Sequence, residues 1–311
     1  YMETLPMASG LRIKLGRFGS ELGYPHQNHP GQWGYSQGHV PYWFLKKPFY
    51  LQDTGVQLTW SPQTTYYARL GMEAFQGDDA LLGRFDGASV LEGAGLGEHL
   101  VARYGEPREG PRLFTAFAEV APNLGYPHQL QGSMFGVLSA DHQELRYSPT
   151  PELLNGKYWL AGTDWVYAYR TRTSAGSGQL KVSAEYLYSE KDLDVAYQEG
   201  APQEVGDQEA THEEGYYLQA RYGFEPDWNA DVRFDVVGLV SGKGQVTATG
   251  AGGWDTSTHI AAQGTWSPTP HSSLQARWSH TDNQWDSYGA STNRITLRFS
   301  MSLGHYLGNF L

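Results

Sequence analysis

Apolar and polar side chains alternate along short segments throughout the chain. In LRIKLG the leucines and the isoleucine share one face, while Arg12 and Lys14 share the other. In YYARLGMEA an apolar face alternates with one that carries Arg69 and Glu73. A period of two is typical of a β-strand whose two faces meet different surroundings. The pattern predicts twelve strands, within residues 11–15, 56–60, 66–74, 114–120, 130–138, 159–170, 180–188, 216–222, 232–236, 259–266, 274–278 and 294–301.

From the second strand onward, the connections between these strands alternate between short and long. The short ones are rich in Pro, Gly, Asn and Asp, as tight turns require, and they span 61–63, 122–128, 171–177, 225–229 and 267–270. The long ones span 23–52, 76–111, 140–157, 190–214, 241–255 and 283–291. Short periplasmic turns and long extracellular loops are typical of outer-membrane barrels. We therefore predict an all-β fold: a transmembrane antiparallel up-and-down β-barrel of twelve strands, a single domain over residues 1–311 whose first and twelfth strands close the ring.

A soluble β-sandwich or a soluble barrel would also contain alternating strands. Its loops need not sort by length, however, so the sorted connections favour the membrane barrel. Aromatic residues at the strand ends agree, because such rings belong in the interfacial girdles of a membrane protein. They are Trp60, Tyr66, Trp159, Tyr188, Tyr216, Trp266 and Trp278. We expect the protein to lie in the outer membrane of a Gram-negative bacterium, with the lipid of that membrane as its first partner.

Composition narrows the classes of function. The chain has no cysteine, which excludes disulfides and thiolate metal sites. Its formal net charge of −11 argues against nucleic-acid binding, since phosphates require a basic face. No run of apolar residues is long enough to predict a transmembrane helix. The first residues, YMETLPMASG, lack the features of a signal peptide, so we expect any export signal to have been removed already.

The polar faces of the predicted strands form the candidate functional site, because they face the lumen of a barrel whose apolar faces meet lipid. The predicted lumen-lining residues are Arg12, Lys14, Arg69, Glu73, Asp164, Arg170, Lys181, Glu185, Arg221, Arg233, Asp235, Arg277, Arg294 and Arg298. This wall is net basic although the chain is acidic, and a basic wall favours the passage of anions. The alternative is a lattice of internal salt bridges that fills the barrel, since charges inside a membrane protein are normally paired. A barrel of twelve strands is intermediate in size between small barrels that have no aqueous hole and large ones that have a clear channel.

Two loop segments carry candidate ion-binding residues. The first long loop contains His26, His29 and His39, whose neutral imidazoles could bind Zn²⁺ as a cofactor, although their spacing matches no established ligand pattern. Segment 190–214 contains nine acidic residues, which predicts a solvated acidic loop. Its alternative role is to capture cations at the mouth of the pore.

The sequence predicts no enzyme. Ser279 and His280 are adjacent in a predicted strand, so their side chains point to opposite faces and cannot form a nucleophile–base pair. The dipeptide formed by Asp141 and His142 carries little specificity on its own. No phosphate-binding glycine motif, zincin helix or nucleophile elbow is present.

The segments GRFGSELGYPHQNHPGQWGYSQGHVPYWFL and LQDTGVQLTWSPQTTYYARLGMEAFQGDD resemble a family of proteobacterial outer-membrane proteins. These porin-like barrels are often labelled zinc-regulated or TonB-dependent outer-membrane receptors. The matching residues are Gly16, Phe18, His29, Pro30, Trp33, Asp53, Gly55, Leu58, Trp60, Leu70, Gly71 and Glu73, with FAEVAPNLG further along. The resemblance covers roughly the first 140 residues and implies an outer-membrane location with passage of small solutes or ions. The family's His-x-Trp-like element is stretched here to HPGQW, and the chain is too short for a large barrel with a plug, so energy-coupled uptake is not implied.

We therefore predict a porin-like outer-membrane channel that passes small solutes or ions through a net-basic lumen. A first alternative is a structural barrel with a plugged lumen, which docks a redox protein, a lipid or a surface ligand. A second alternative is a metal uptake protein that binds zinc through the first long loop. The oligomeric state and the solute are left open by the sequence.

Overall fold

The structure, a computed structural model, describes residues 1–7, 9–23, 51–77, 87–106, 109–147, 150–173, 176–200, 205–238, 245–247, 250–251, 256–283 and 290–301. These residues form one antiparallel sheet and two short helices. Neither of these two helices is long and apolar enough to cross a membrane.

Twelve of the described strands are nine to twenty residues long, and each coincides with one of the twelve segments that alternation predicts. The predicted all-β, up-and-down fold is confirmed. The strands are β1 (Met2–Glu3), β2 (Leu11–Gly19), β3 (Gln52–Trp60), β4 (Tyr67–Phe75), β5 (Leu113–Ala121), β6 (His128–Tyr147), β7 (Pro151–Tyr169), β8 (Leu180–Gln198), β9 (Gln208–Glu225), β10 (Trp228–Val237), β11 (Gln245–Thr247), β12 (Gly250–Ala251), β13 (Ser257–Thr269), β14 (Ser272–Asn283) and β15 (Ala290–Met301). The helices are α1 (Gly87–Gly93) and α2 (Glu98–Tyr104).

The sheet is a row in chain order that runs from β1 to β15, with β11 and β12 off the path so that β10 pairs with β13. The short strand β1 covers part of the free edge of β2. The predicted closure between the first and twelfth long strands, β2 and β15, is not among the pairings of the described residues. Accordingly the outward side chains of β15 are highly exposed, with Ile295 at 79% and Leu297 at 74%, because they have neighbours on one side only.

The outward face of the wall is apolar. Along one cross-strand row, Leu218, Phe234 and Ile260 lie side by side on β9, β10 and β13. These side chains and Val232 of β10 are between 42% and 58% exposed although all are apolar. An exposed apolar face of this extent is the lipid-facing surface of a membrane barrel, since a soluble sheet would bury it.

Aromatic rings bound this apolar face at both ends. Trp228 and Trp266 stack beside the short turns, with 5.8 Å between ring centroids. Trp159 and Tyr188 lie at the opposite end, with centroids 5.3 Å apart. These two sets of rings are the girdles expected at the two membrane interfaces.

Two of the predicted long loops are instead strands. Segment 140–157 is mostly the ends of β6 and β7, and segment 190–214 is mostly the ends of β8 and β9. The four strands thus continue beyond the aromatic girdle as an extramembrane sheet. A β-bulge between Ser139 and His142 shifts the register of β6 by one residue, so the even-numbered residues that follow it point inward.

The two helices pack on the outward face of this extramembrane sheet. Leu91 and Leu100 of the helices are buried against Leu145 of β6 and Leu153 of β7. The amide of Gln143 donates a hydrogen bond of 2.9 Å to the carbonyl oxygen of Tyr104, at the end of α2. The segment between β4 and β5, predicted as a loop, therefore contributes a helical cover for the wall above the membrane.

The inward face of β4–β9 carries a second apolar cluster. Its members are buried and include Phe75, Leu113, Phe117, Phe135, Val137, Tyr158, Leu160, Leu187 and Tyr217. The large rings fit because glycines lie beneath them: a Cβ at Gly162 would stand 2.5 Å from the ring of Phe135, and one at Gly71 would stand 2.1 Å from the ring of Phe117. Half of the lumen is therefore packed like a protein core.

Gly162 provides a test of this packing. We expect Gly162→Ala to lower the free energy of unfolding by about 1–3 kcal/mol, because the added methyl forces the Phe135 ring from its site. Urea unfolding from lipid vesicles, followed by tryptophan fluorescence, measures the change. Gly136→Ala on β6 is the matched control, since a Cβ there meets its nearest atom at 3.6 Å. Equal stability of the two variants would contradict the packed lumen.

Candidate functional site

The predicted lumen residues lie on the inward face of the wall, opposite the apolar belt. The strand register aligns them: Lys181 of β8 is paired with Arg221 of β9, and Arg221 with Asp231 of β10. Arg170 is the exception in position, because it follows the last residue of β7 and belongs to the short turn. The structure thus places these side chains on one face of the sheet.

The inward face from β10 to β15 is mainly polar and net basic. Among its described positions it carries four arginines and two aspartates, a net charge of +2 with histidine neutral: Arg233, Arg277, Arg294, Arg298, Asp231 and Asp235. Between these charges lie neutral polar side chains such as Gln263 and Ser279. This face is chemically distinct from the apolar cluster on β4–β9.

The charges of β9 and β10 form close ion pairs whose carboxylates are buried. Arg233 Nε donates to Asp235 Oδ2 at 3.0 Å, and both side chains are inaccessible to solvent. Arg221 Nε donates to Asp231 Oδ1 at 2.7 Å. Such burial requires pairing, because an isolated charge in a low-dielectric interior is costly. Part of the predicted basic wall is therefore neutralised internally, as in the salt-bridge alternative.

Arg294 and Arg298 differ from these buried arginines. Both lie on β15 and are exposed, and no described carboxylate forms an ion pair with either of them. Arg277 of β14 lies between them in the register and donates to Thr296 Oγ1 at 3.4 Å. Because Arg277 is buried, the basic character that faces open space is concentrated on β15.

On the inward face of β4, towards the other end of the strand order, Glu73 is a buried acceptor. Its carboxylate receives hydrogen bonds from Ser20 Oγ at 2.5 Å, from Gln57 Nε2 at 2.7 Å and from Thr115 Oγ1. The nearby Arg69 lies 3.6 Å from Glu119 Oε2 and is also bonded to Glu21. Glu119 is thus paired with one arginine of the predicted basic wall, whereas Glu73 is held by neutral donors.

The carboxylates of β7 and β8 lie close to the apolar cluster. Ser133 Oγ donates to Asp164 Oδ2, and the hydroxyl of Tyr217 is hydrogen-bonded to Glu185. The remaining predicted residues, Arg12 and Lys14, lie on β2. Arg12 is 3.8 Å from Glu3, and Lys14 is 2.9 Å from Glu21. Glu21 is absent from the predicted set because it lies two residues beyond β2, where the alternation ends.

The candidate metal ligands His26, His29 and His39 lie outside the described residues, so zinc binding stays a prediction. Within the described ranges, no three His, Asp or Glu side chains come together in a way that could hold a metal ion.

The side chains considered for catalysis are held apart. Ser279 is buried on the inward face, whereas His280 lies on the outward face and its Nδ1 is 3.1 Å from Asn293 Oδ1. His142 Nε2 lies 3.1 Å from Glu144 Oε1. The fold alone does not exclude catalysis, since one fold can carry unrelated functions.

Comparison with known proteins agrees with the fold. No family model matches the chain. An uncharacterized protein of Aquifex aeolicus is 23% identical over 238 residues, and the match covers 76% of this chain but 47% of that protein, so the chain spans about half the length of the curated relative.

Two solved outer-membrane proteins are similar in structure across nearly the whole chain. The outer membrane channel DcaP of Acinetobacter baumannii has a TM-score of 0.54 at 11% identity, covering 94% of this chain and 72% of that one. The outer membrane protein OmpT of Vibrio cholerae has a TM-score of 0.52 at 9% identity, covering 93% of this chain and 75% of that one. The chain therefore has the antiparallel up-and-down fold of bacterial outer-membrane β-barrel proteins.

Proposed function

We propose that this protein is a bacterial outer-membrane channel that passes small solutes or ions, with a preference for anions. The observation that carries the proposal is the net-basic inward face of β10–β15, which lies behind an exposed apolar belt bounded by aromatic rings. The similarity to the DcaP channel supports the general class. The preference for anions rests on the charges of this chain alone.

The path for solutes runs along the polar side of the lumen. The apolar cluster on β4–β9 consists mostly of side chains that cannot replace the water around an ion, whereas the wall of β10–β15 offers arginine, glutamine and serine side chains. Rings of basic side chains favour anions because they lower the electrostatic barrier that an anion meets. Arg233 and Arg221 are neutralised by Asp235 and Asp231, which leaves Arg294 and Arg298 to set the charge of this path.

A plugged barrel that docks a partner is the second candidate function. The buried apolar cluster inside the wall favours it, because such a cluster fills space that a wide pore would leave to water. The zinc-regulated or TonB-dependent label is a narrower prediction, which rests on the resemblance of the first 140 or so residues.

Replacing the exposed lumen arginines tests the proposed channel. In planar bilayers under a KCl gradient, we expect the wild-type protein to favour chloride over potassium. The double variant R294Q/R298Q is expected to lower the chloride-to-potassium permeability ratio at least about twofold, because two cations leave the path. Arg17→Gln is the matched control, since Arg17 is exposed on the outward face of β2.

Two outcomes separate the parts of this proposal. If folded, heat-modifiable wild-type protein carries no current, the channel proposal is wrong and the plugged barrel is favoured. If it conducts but the double variant and R17Q have the same permeability ratio, the arginines of β15 do not determine selectivity.

A further inference from the structure

We infer that segment 20–23 crosses and narrows the lumen, and that Glu21 sets the charge selectivity there by pairing with Lys14 and Arg69. This inference rests on the proposed channel function and names the element that controls it. It departs from the expectation that the chain after the first long strand leads directly into an external loop.

The backbone after β2 is fixed to the inward face of the wall. The amide of Ser20 donates to the carbonyl oxygen of Leu51 at 2.8 Å, which ties together the two ends of the first long connection. The Ser20 hydroxyl and the Glu21 amide donate to the two carboxylate oxygens of Glu73, at 2.5 Å and 3.3 Å. A buried carboxylate that receives these bonds makes this path of the chain strongly preferred over an exposed one.

Two buried leucines anchor the same segment inside the lumen. Leu22 and Leu51 are 2% and 0% exposed, and both belong to the apolar cluster of β4–β9. A Cβ at Gly23 would lie 2.9 Å from Glu185 of β8 and 3.0 Å from the ring of Phe135 of β6. Because β6 and β8 are four and six strands away from β2 in the sheet, residues that leave β2 and touch them must span the lumen.

Glu21 links this crossing to the charge of the wall. One carboxylate oxygen lies 2.9 Å from Lys14 Nζ, and the other is bonded to Arg69 Nη2. Both cations point into the lumen from β2 and β4, so a single carboxylate neutralises two of the predicted basic residues. Removing that charge takes this carboxylate away from Lys14, leaves Arg69 paired with Glu119, and releases one hold on the crossing segment.

The test is single-channel recording of Glu21→Gln in planar bilayers under a KCl gradient. We expect the chloride-to-potassium permeability ratio to rise at least about twofold, since the lumen gains net positive charge. The conductance is expected to rise with it, because the crossing segment loses one of its holds. Glu21→Asp keeps the carboxylate and is expected to retain most of the wild-type ratio. Glu3→Gln is the matched control, because Glu3 makes only a long, exposed contact with Arg12.

Lys14→Gln provides a second measurement if Glu21→Gln does not fold, as judged by heat-modifiability on gels. It removes one cation and leaves Glu21 in place, so we expect a shift of the permeability ratio towards potassium. Wild-type protein that conducts, with E21Q identical to E3Q and K14Q unchanged, would overturn the role of Glu21 while leaving the channel intact. A folded wild-type protein that is silent and that E21Q opens would identify Glu21 as the closing contact, whereas silence in both would overturn the channel and this inference together.

Discussion

Glu144→Gln is expected to destabilise the extramembrane sheet by about 3 kcal/mol, because it removes the shared acceptor of a buried charge cluster. Glu144 is 2% exposed, and its carboxylate binds Lys191 Nζ at 2.6 Å and Arg146 Nη2 at 2.9 Å. His142 Nε2 lies 3.1 Å from the same group. Loss of this carboxylate leaves two cations partly buried with fewer partners.

Arg146 has a second carboxylate partner in this cluster. Its Nη1 donates to Glu209 Oε2 at 2.6 Å, across from β6 to β9. Burial acts to lower the pKa of Arg146, but the Glu144 and Glu209 carboxylates outweigh it and raise that pKa above its ordinary value. Arginine side chains are not deprotonated in proteins, so deprotonation of Arg146 cannot compensate for E144Q.

Hydrogen exchange measures this effect locally, since the cluster lies outside the membrane and can open without the rest of the wall. Faster exchange is expected at the amides of 142–147 and 151–156, with unchanged exchange in the membrane-spanning parts of β13 and β14. Asp192→Asn is the matched control, because Asp192 is an exposed carboxylate on the same sheet. Equal protection in E144Q and D192N would show that the cluster contributes no stability.

The twelve long strands are predictable from sequence because the membrane imposes a strict rule on them. Outward residues such as Val232 meet lipid and inward ones such as Arg233 meet the lumen, so the alternation in the sequence has few exceptions. The side on which each charged residue lies follows from that alternation. The partners of these residues do not follow, because pairing depends on register between strands that share no local sequence signal.

The alternation fails where the wall leaves the membrane. Leu153 and Leu154 are adjacent on β7, and both are fully buried, one under the helices and the other on the inward face. Water or packed protein surrounds both faces there, so apolar and charged residues occur on either side and resemble a loop. In β6 the bulge after Ser139 also shifts the period of two. Without a regular alternation, the sequence predicts loops at 140–157 and 190–214.

Glu21 and Ser20 were missed for a related reason. They follow the last alternating residue of β2, and nothing in their local sequence indicates that the chain turns inward. The signal that could identify them is indirect: buried acceptors such as Glu73 need donors, and its own strand pairs supply too few. The sequence thus predicts which residues share the inward face and the net charge of that face, but it does not predict that segment 20–23 crosses the lumen.

Val232→Arg is expected to lower the free energy of unfolding from lipid by about 2–4 kcal/mol, the cost of an arginine at the midplane of a barrel's lipid face. Val232 is 58% exposed and points outward from β10. It lies two outward rows away from the girdle formed by Trp228 and Trp266, near the middle of the apolar belt. An arginine here must stretch towards an interface or thin the bilayer around it.

Equilibrium urea unfolding in vesicles measures this cost. Val232→Leu keeps the site apolar and is expected to match the wild type, while Gln63→Arg places the same charge in an exposed periplasmic turn and is expected to change little. The comparison is specific for lipid, because an exposed arginine would be neutral on a soluble sheet in water. Stability of V232R equal to that of V232L would therefore contradict the membrane assignment of the outward face, on which the channel proposal depends.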